Sequence, residues 1–463
     1  MKRKIEGQLN VTHALAGGKS GILATVIGAA VGLAVGMGGA QAQTISLSDA
    51  FDLMLDREVQ YEILDLEENI AAEVVRQARG ERLPRVGLTI DYIQTQQEIV
   101  NQDNTTFQEG TSEYPTTRVT FSVRQSLYDP VRWRALPQAR AEQELVAAQA
   151  TVARNELTTM LISSYLDVAR AQIGLEQARI MIRARSQLES DLALQVDAGT
   201  IEADTLLRAQ GDVFEARAMQ SEREFDLTTA LFELYRFTGP EVTGVNYAGA
   251  SVGIPNYNAL VGTFSLEALR DVSPAIQVAR AELDVAERQE RVARGAYQPT
   301  ANLTLEYENE ETEGSLFGGG STVQSTEIGL NVDWLIYEGG IRRSQVREAE
   351  ARVQIANLRL EQMIDLTERR YGALTEALER ALASVNSIGA EQASAGRRLT
   401  AATEQEDAGR IGPEAGLEAR LRRDTLALQG QVARLRVVRL QAELLALFGA
   451  LDVDALSQDF RGT

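Results

Sequence analysis

The chain repeats itself, and that fact limits its possible folds more than any other. The run Ala78-Arg79-Gly80 through Leu88-Thr89-Ile90-Asp91-Tyr92 returns as Ala293-Arg294-Gly295 through Leu303-Thr304-Leu305-Glu306-Tyr307, with Pro84 matched by Pro299. Leu127-Tyr128-Asp129 returns as Ile336-Tyr337-Glu338, and Asp197-Ala198-Gly199-Thr200-Ile201 as Asp407-Ala408-Gly409-Arg410-Ile411. All three landmarks keep their order at a spacing of about 210 residues, so one architectural unit is built twice. The units divide as residues 43–250 and 251–463. The spacing changes in one place, the polar stretch after Tyr92, which is longer than its counterpart after Tyr307 and so reads as a surface loop.

Within each unit two short segments alternate apolar with polar residues. Val86, Leu88, Ile90 and Tyr92 interleave with Thr89 and Asp91, and Val119, Phe121 and Val123 with Thr120 and Arg124. In the second unit Leu303, Leu305 and Tyr307 interleave with Thr304 and Glu306, and Ile328, Leu330 and Val332 with Asn331 and Asp333. Period two means strands with one apolar and one polar face, expected at about 84–96, 117–127, 299–309 and 324–336. Polar or Gly-rich turns, Gln94 to Thr117 and Asn309 to Thr322, separate the members of each pair, and Gly318-Gly319-Gly320 is a loop tip.

The remainder has helical spacing. Val131 to Asp197 and Ile341 to Asp407 are free of helix-ending signals except Pro137, and either span would reach about 100 Å as one helix. Leu360, Ile364, Thr367, Tyr371, Leu374, Leu378, Ala381, Val385 and Ile388 follow a four-three spacing, the seam of a coiled coil. Leu421, Leu428 and Leu435 continue at heptad spacing in the return segment, with Val432 and Val438 between. Gly199 and Gly409 stand where each long helix must stop, so each unit contains an antiparallel helical hairpin.

Missing residue types exclude most chemistry. There is no Cys, the single His is His13, and Lys occurs only at Lys2, Lys4 and Lys19. Thiol, imidazole and Schiff-base catalysis, Walker-type phosphate loops and His/Cys zinc sites are therefore absent from the body of the chain. We expect no enzyme activity, cofactor or metal. Acidic residues outnumber basic ones 66 to 46 for a net charge of -20, which disfavours nucleic acid as a partner. Basic residues at Lys2, Arg3, Lys4 and Lys19 precede an uncharged stretch from Gly21 to Gly39 that ends in Ala40-Gln41-Ala42. This reads as an export signal over residues 1–42; a permanent anchor is the alternative, which the glycine content and the small-x-small cleavage pattern disfavour. Without Cys no lipid-modified N-terminus can form.

Four strands of about nine to eleven residues suit a tilted crossing of a bilayer but cannot close a barrel alone. Open edges are not tolerated in lipid, so membrane strands would have to be pooled among copies. Trp133 and Trp334 fall at strand ends, where interfacial aromatic belts belong, and the polar residues Asp91, Arg124, Glu306 and Asp333 would line a wet lumen. A soluble four-stranded sheet on helices gives the same alternation, although no amphipathic helix lies between the strands to cover it.

Leu127-Tyr128-Asp129-Pro130-Val131-Arg132-Trp133 and Ile336-Tyr337-Glu338-Gly339-Gly340-Ile341-Arg342-Arg343, each joining a strand to a long helix, resemble the strand-to-helix junctions of the TolC family of outer-membrane efflux proteins. The turns at Asp197 to Ile201 and at Asp407 to Ile411, the second followed by Leu417-Glu418-Ala419, resemble that family's periplasmic tips. The resemblance spans Ile45 to Leu451, duplication included. It implies a mainly α protein with a membrane β-barrel: a homotrimer that pools twelve strands in outer-membrane lipid, continues as a helical tunnel through the periplasm, and carries a belt near mid-tunnel, here at Gly239 to Thr263. It also implies a conduit for drugs or secreted proteins that works with a periplasmic adaptor and an inner-membrane transporter.

Asp197, Gly199, Ile201, Asp407, Gly409, Arg410 and Ile411 would then be the adaptor-docking tips, unless the glycines only cap helices. Glu414 and Glu418, one turn apart, would form a periplasmic gate ring or simply an exposed acidic face. Arg208 stands in the first tip where the second has Glu418, so such a ring would rest on the second unit. The rival reading is a soluble periplasmic adaptor or coiled-coil scaffold, which would carry one hairpin rather than two.

Overall fold

A computed structural model describes residues 43–98, 111–247, 265–314, 319–451 and 453, all within the unit Ala42–Thr463. The expected export signal at 1–42, residues 99–110 and 315–318 of the inter-strand turns and most of the expected belt stretch lie outside the described residues. The elements run β1 (Gln43–Ile45), α1 (Leu47–Arg57), α2 (Val59–Gly80), β2 (Arg85–Glu98), β3 (Thr111–Tyr128), α3 (Pro130–Asp197), α4 (Ala203–Thr238), β4 (Val242–Val245), α5 (Leu266–Val272), α6 (Pro274–Gly295), β5 (Thr300–Thr312), β6 (Ser321–Asp333), α7 (Ile341–Asp407) and α8 (Pro413–Leu447). Each half thus presents a helix, two strands, a very long helix and a shorter return helix.

The long helices start differently in the two halves. At α3 the Asp129 carboxylate accepts from the backbone N–H groups of Val131 and Arg132, and Pro130 takes the first turn, where its missing N–H costs nothing. At α7 the chain enters through Gly339 and Gly340, both at positive φ, with no side-chain cap. Pro137 lies inside α3 and cannot donate to the Trp133 carbonyl; the Arg82 guanidinium donates there instead, which restores the acceptor and lets the helix continue for 68 residues.

Both long helices end alike. Gly199 and Gly409 have φ of 70° and 66°, the left-handed conformation that glycine adopts without strain. The N–H of Thr200 donates to the Gln195 carbonyl at 3.0 Å, and that of Arg410 to Gln405 at 2.8 Å, the closing bonds of a Schellman turn.

The helices pack side by side in a fixed order. Along its length α3 meets α2 and α4 on one flank and α6 and α8 on the other, and α7 packs on α6 and α8. The α7 seam is buried at Thr367, Leu374, Leu378, Ala381 and Val385, as its spacing implied. The α8 heptad faces elsewhere than a simple hairpin requires. Leu435 and Val438 join a cluster with Leu161, Leu166 and Ala169 of α3, while Val437, Leu444 and Phe448 pack with the α7 seam. Lying between two helices, α8 needs two apolar stripes, and its visible heptad is the one that joins the halves.

Two sheets form. A short parallel pair, β1 on β4, sets Ile45 opposite Val245; its first strand has too few residues to show alternation. The other sheet is antiparallel in the order β2-β3-β5-β6, so the two halves pair directly through β3 and β5, with Thr116 opposite Thr312. Its strands are 14, 18, 13 and 13 residues long and run further into the polar turns than expected, while β6 ends at Asp333, three residues short of its expected bound, where the chain leaves the sheet for α7. Glu98, for example, pairs with Thr111, because register with a neighbour holds a polar segment extended where alternation has ended.

Candidate functional site

Register assigns every strand residue to a face, since directly paired residues share one. Val86, Val123, Leu305 and Ile328 form one row, and Leu88, Phe121 and Tyr307 the next on the same side. This apolar face is open: Leu88 is 65% exposed, Tyr92 70% and Ile328 76%. A contiguous apolar surface of that extent is made for lipid or another chain, not for water. Trp133 packs edge-on against Tyr128 with ring centroids 5.1 Å apart, and the Trp334 indole donates to the Tyr297 carbonyl at 3.1 Å. Both tryptophans lie where the sheet gives way to helices, and both are exposed. Among the described residues no helix is long and apolar enough to cross a membrane.

The opposite face gathers the polar candidates. Asp91, Arg124, Glu306 and Asp333, which come from four different strands, all fall on it. Arg118 binds it together across β3 and β5, donating to Glu310 at 2.6 and 3.0 Å with Glu308 at 3.5 Å. Sequence reasoning passed over that cluster, because its members meet only once β3 is known to pair with β5. Glu306 and Glu327 stand directly opposite each other, an unfavourable pairing unless water separates the charges. The face is built to be wet.

At the far ends of the helices the tips are exposed at Asp197, Gly199, Asp407, Gly409 and Arg410, whereas Ile201 and Ile411 are half-buried. Ile201 turns inward onto a cluster of Leu188, Leu192 and Ala209, and Leu417 of the second hairpin packs into the same cluster. The two tips are thereby in contact within one chain. Glu414 and Glu418 are exposed on the first turns of α8, one turn apart, and form no ion pair with another described residue. Among the described residues no cluster of acidic or histidine side chains could hold a metal.

Midway along the helices, the Tyr165 hydroxyl lies 2.7 Å from the Asn246 carbonyl oxygen and 3.2 Å from that of Ile45, tying the β1–β4 pair to α3. Burial raises this phenol's pKa above the ordinary value. Arg154 of α3 holds α2 through Glu68 at 2.9 Å and Asp65 at 2.7 Å, and the hydrogen bond it donates to Glu68 raises its already high pKa.

Comparison with known proteins agrees with this geometry. Residues 64–240 and 266–451 match the family model described as outer membrane efflux protein. The outer membrane protein TolC of Salmonella enteritidis is 26% identical over 298 residues, covering 60% of this chain and 56% of that one. Protein CyaE of Bordetella pertussis is 29% identical over 276 residues, covering 58% and 55%. The chain thus spans little more than half the length of these relatives. Among solved structures, the Campylobacter jejuni CmeC outer membrane channel shares the fold with a TM-score of 0.70 at 15% identity, covering 90% of this chain and 89% of that one. Both halves fall within the family match and carry the same strand pair and hairpin, so the chain belongs to the outer membrane efflux protein family.

Proposed function

We propose that three copies of the chain form a passive conduit across the outer membrane and periplasm, the number being the one its family resemblance implies. One observation carries this reading: the flanks that are open in the sheet are also open in the helical layer. β2 and β6 each have an unpaired edge. On the same two sides, α2 and α4 expose Ile70, Phe214, Phe225 and Phe232, and α7 exposes Ile355 and Leu358. Unpaired strand edges are intolerable in lipid, and joining the β6 side of one copy to the β2 side of the next removes every edge once the ring closes. Such a contact is heterologous and generates closed rings.

Three copies pool twelve strands and surround the axis with twelve helix positions. At 8–10 Å between neighbours those helices enclose a circle about 30–40 Å across, leaving about 20 Å clear. Strands of 13 residues or more, tilted as in known barrels, rise about 30 Å and suffice to cross the hydrocarbon core. The polar face, with Asp91, Arg124, Glu306 and Asp333, turns inward. The tips, at the ends of helices about 100 Å long, are the parts able to reach a periplasmic adaptor and, through it, an inner-membrane transporter. Drugs or secreted polypeptides would pass without any chemistry by this protein.

Because the chain has no Cys, introduced thiols label unambiguously. With Thr89→Cys on β2 and Ser325→Cys on β6, a flexible bis-maleimide should give a ladder that stops at three chains. A ladder ending at two, or running past three, would refute the threefold ring.

A further inference from the structure

Halfway along the helical layer one face is covered and the other is bare. The β1–β4 pair and α1 cover α3 at Leu161, Tyr165 and Val168, and Val438 of α8 is buried in the same cluster. Arg170 follows Tyr165 by five residues, and Arg436 precedes Val438 by two, which turns each about 140–160° away from the covered side. Both are exposed. They line two adjoining grooves of about 450 and 420 Å³ between α4, α3, α8 and α7. The charged residues in those grooves are Arg170, Arg223, Arg436 and Arg439 against Asp167 and Asp226. Arg439 is paired with Asp167 and Arg223 with Asp226, while Arg170 and Arg436 have no ion pair or hydrogen-bond partner among the described residues. A chain of net charge -20 therefore carries here a local excess of positive charge that no ion pair among the described residues neutralises.

We propose that these grooves form an anion-binding girdle that takes molecules bearing two or more closely spaced oxyanion groups, carboxylate or phosphate. The guanidinium fork matches both groups bidentately, which a surface built to repel anions would have no use for. Gln429, which like Arg170 lines both grooves, adds an uncharged hydrogen-bonding group to the same lining. The placement of the girdle in a tunnel rests on the trimer reading above: the bare face is then the lumen side, and three copies bring six unpaired guanidinium groups to one level. The groove itself lies within a single chain, so binding and tunnel placement can be tested apart.

The full-length protein in detergent is titrated calorimetrically with citrate in one arm and tripolyphosphate in the other, and the same anions are added to single channels in planar bilayers. Wild type should bind at least one probe, and the arm that binds more tightly identifies carboxylate or phosphate as the preferred group. Arg170→Gln with Arg436→Gln should weaken binding by about tenfold or more, whereas the double Lys variant retains most of it by keeping the charge. Current block should weaken in parallel. Absence of binding by wild type, or equal binding by wild type and the Gln variant, would overturn the girdle. Binding that is lost in the variant but never blocks current would keep the groove and overturn its place in the tunnel.

Discussion

Tyr165 shows how much one buried hydroxyl can organise. Its ring is fully buried and its hydroxyl serves the ends of two strands that make few other bonds. Tyr165→Phe keeps the packing and takes the hydroxyl donor from the Asn246 carbonyl, while the Ile45 carbonyl still accepts from the Asn246 N–H, so thermal unfolding at neutral pH should show a loss of about 1–3 kcal/mol. Burial holds the phenol neutral beyond the unfolded value of about 10, so the stability it contributes is complete below pH 10 and declines above it as the unfolded chain ionises first. The gap between wild type and Phe variant should therefore narrow above pH 10. A gap that persists unchanged to pH 11 would show that burial does not hold the phenol neutral, and no gap at neutral pH would show that the hydroxyl bonds contribute nothing. Arg82 plays a comparable role at the Trp133 carbonyl that Pro137 leaves without a donor.

At the scale of elements the two faces of the sheet make opposite demands. Leu88→Arg and Leu305→Arg each put a charge on the apolar face, at about 2–4 kcal/mol near a bilayer midplane, whereas Thr89→Arg and Thr304→Arg point to the polar side. Heat-modified electrophoretic mobility should report failed assembly for the first pair and normal assembly for the second. Equal behaviour of the two pairs would rule out the barrel. The faces were legible in the sequence because Val86, Leu88, Ile90 and Tyr92 alternate without a break. The strand ends were not: residues such as Glu98 are held extended only by pairing across the sheet, a long-range fact. The same limit hid the Arg118–Glu310 bridge, whereas the second stripe of α8, Ala433, Val437, Leu440 and Leu444, does run at four-three spacing and was overshadowed by the leucine heptad beside it. Ile201 read as a tip residue by position, yet its side chain packs inward, because the hairpins meet there.

For the whole molecule the question is what the passage favours. Glu418 and Arg436 are 18 residues apart on α8, five full turns, so they share a face with about 27 Å between them. We propose that in a threefold ring the six carboxylates of Glu414 and Glu418 would concentrate cations at the periplasmic mouth, an effect screened over about 10 Å at 0.1 M salt. Glu414→Gln with Glu418→Gln should reduce cation preference in planar bilayers, most at low salt, with assembly unaltered. An unchanged reversal potential in a salt gradient would leave these residues as an exposed acidic face.

The pairing of β3 with β5 also imposes an order in time. Thr116 meets Thr312, 196 residues further along the chain, so the four-stranded sheet cannot exist until the chain has been made through β6. Until then β2 and β3 can form at most an isolated hairpin, which is marginal in water, with its apolar face uncovered. Pairings this distant in sequence close slowly and leave sticky edges open while they do. The duplication that makes the fold simple to describe thus makes it a chain that must be kept from collapsing or aggregating until its last strand arrives.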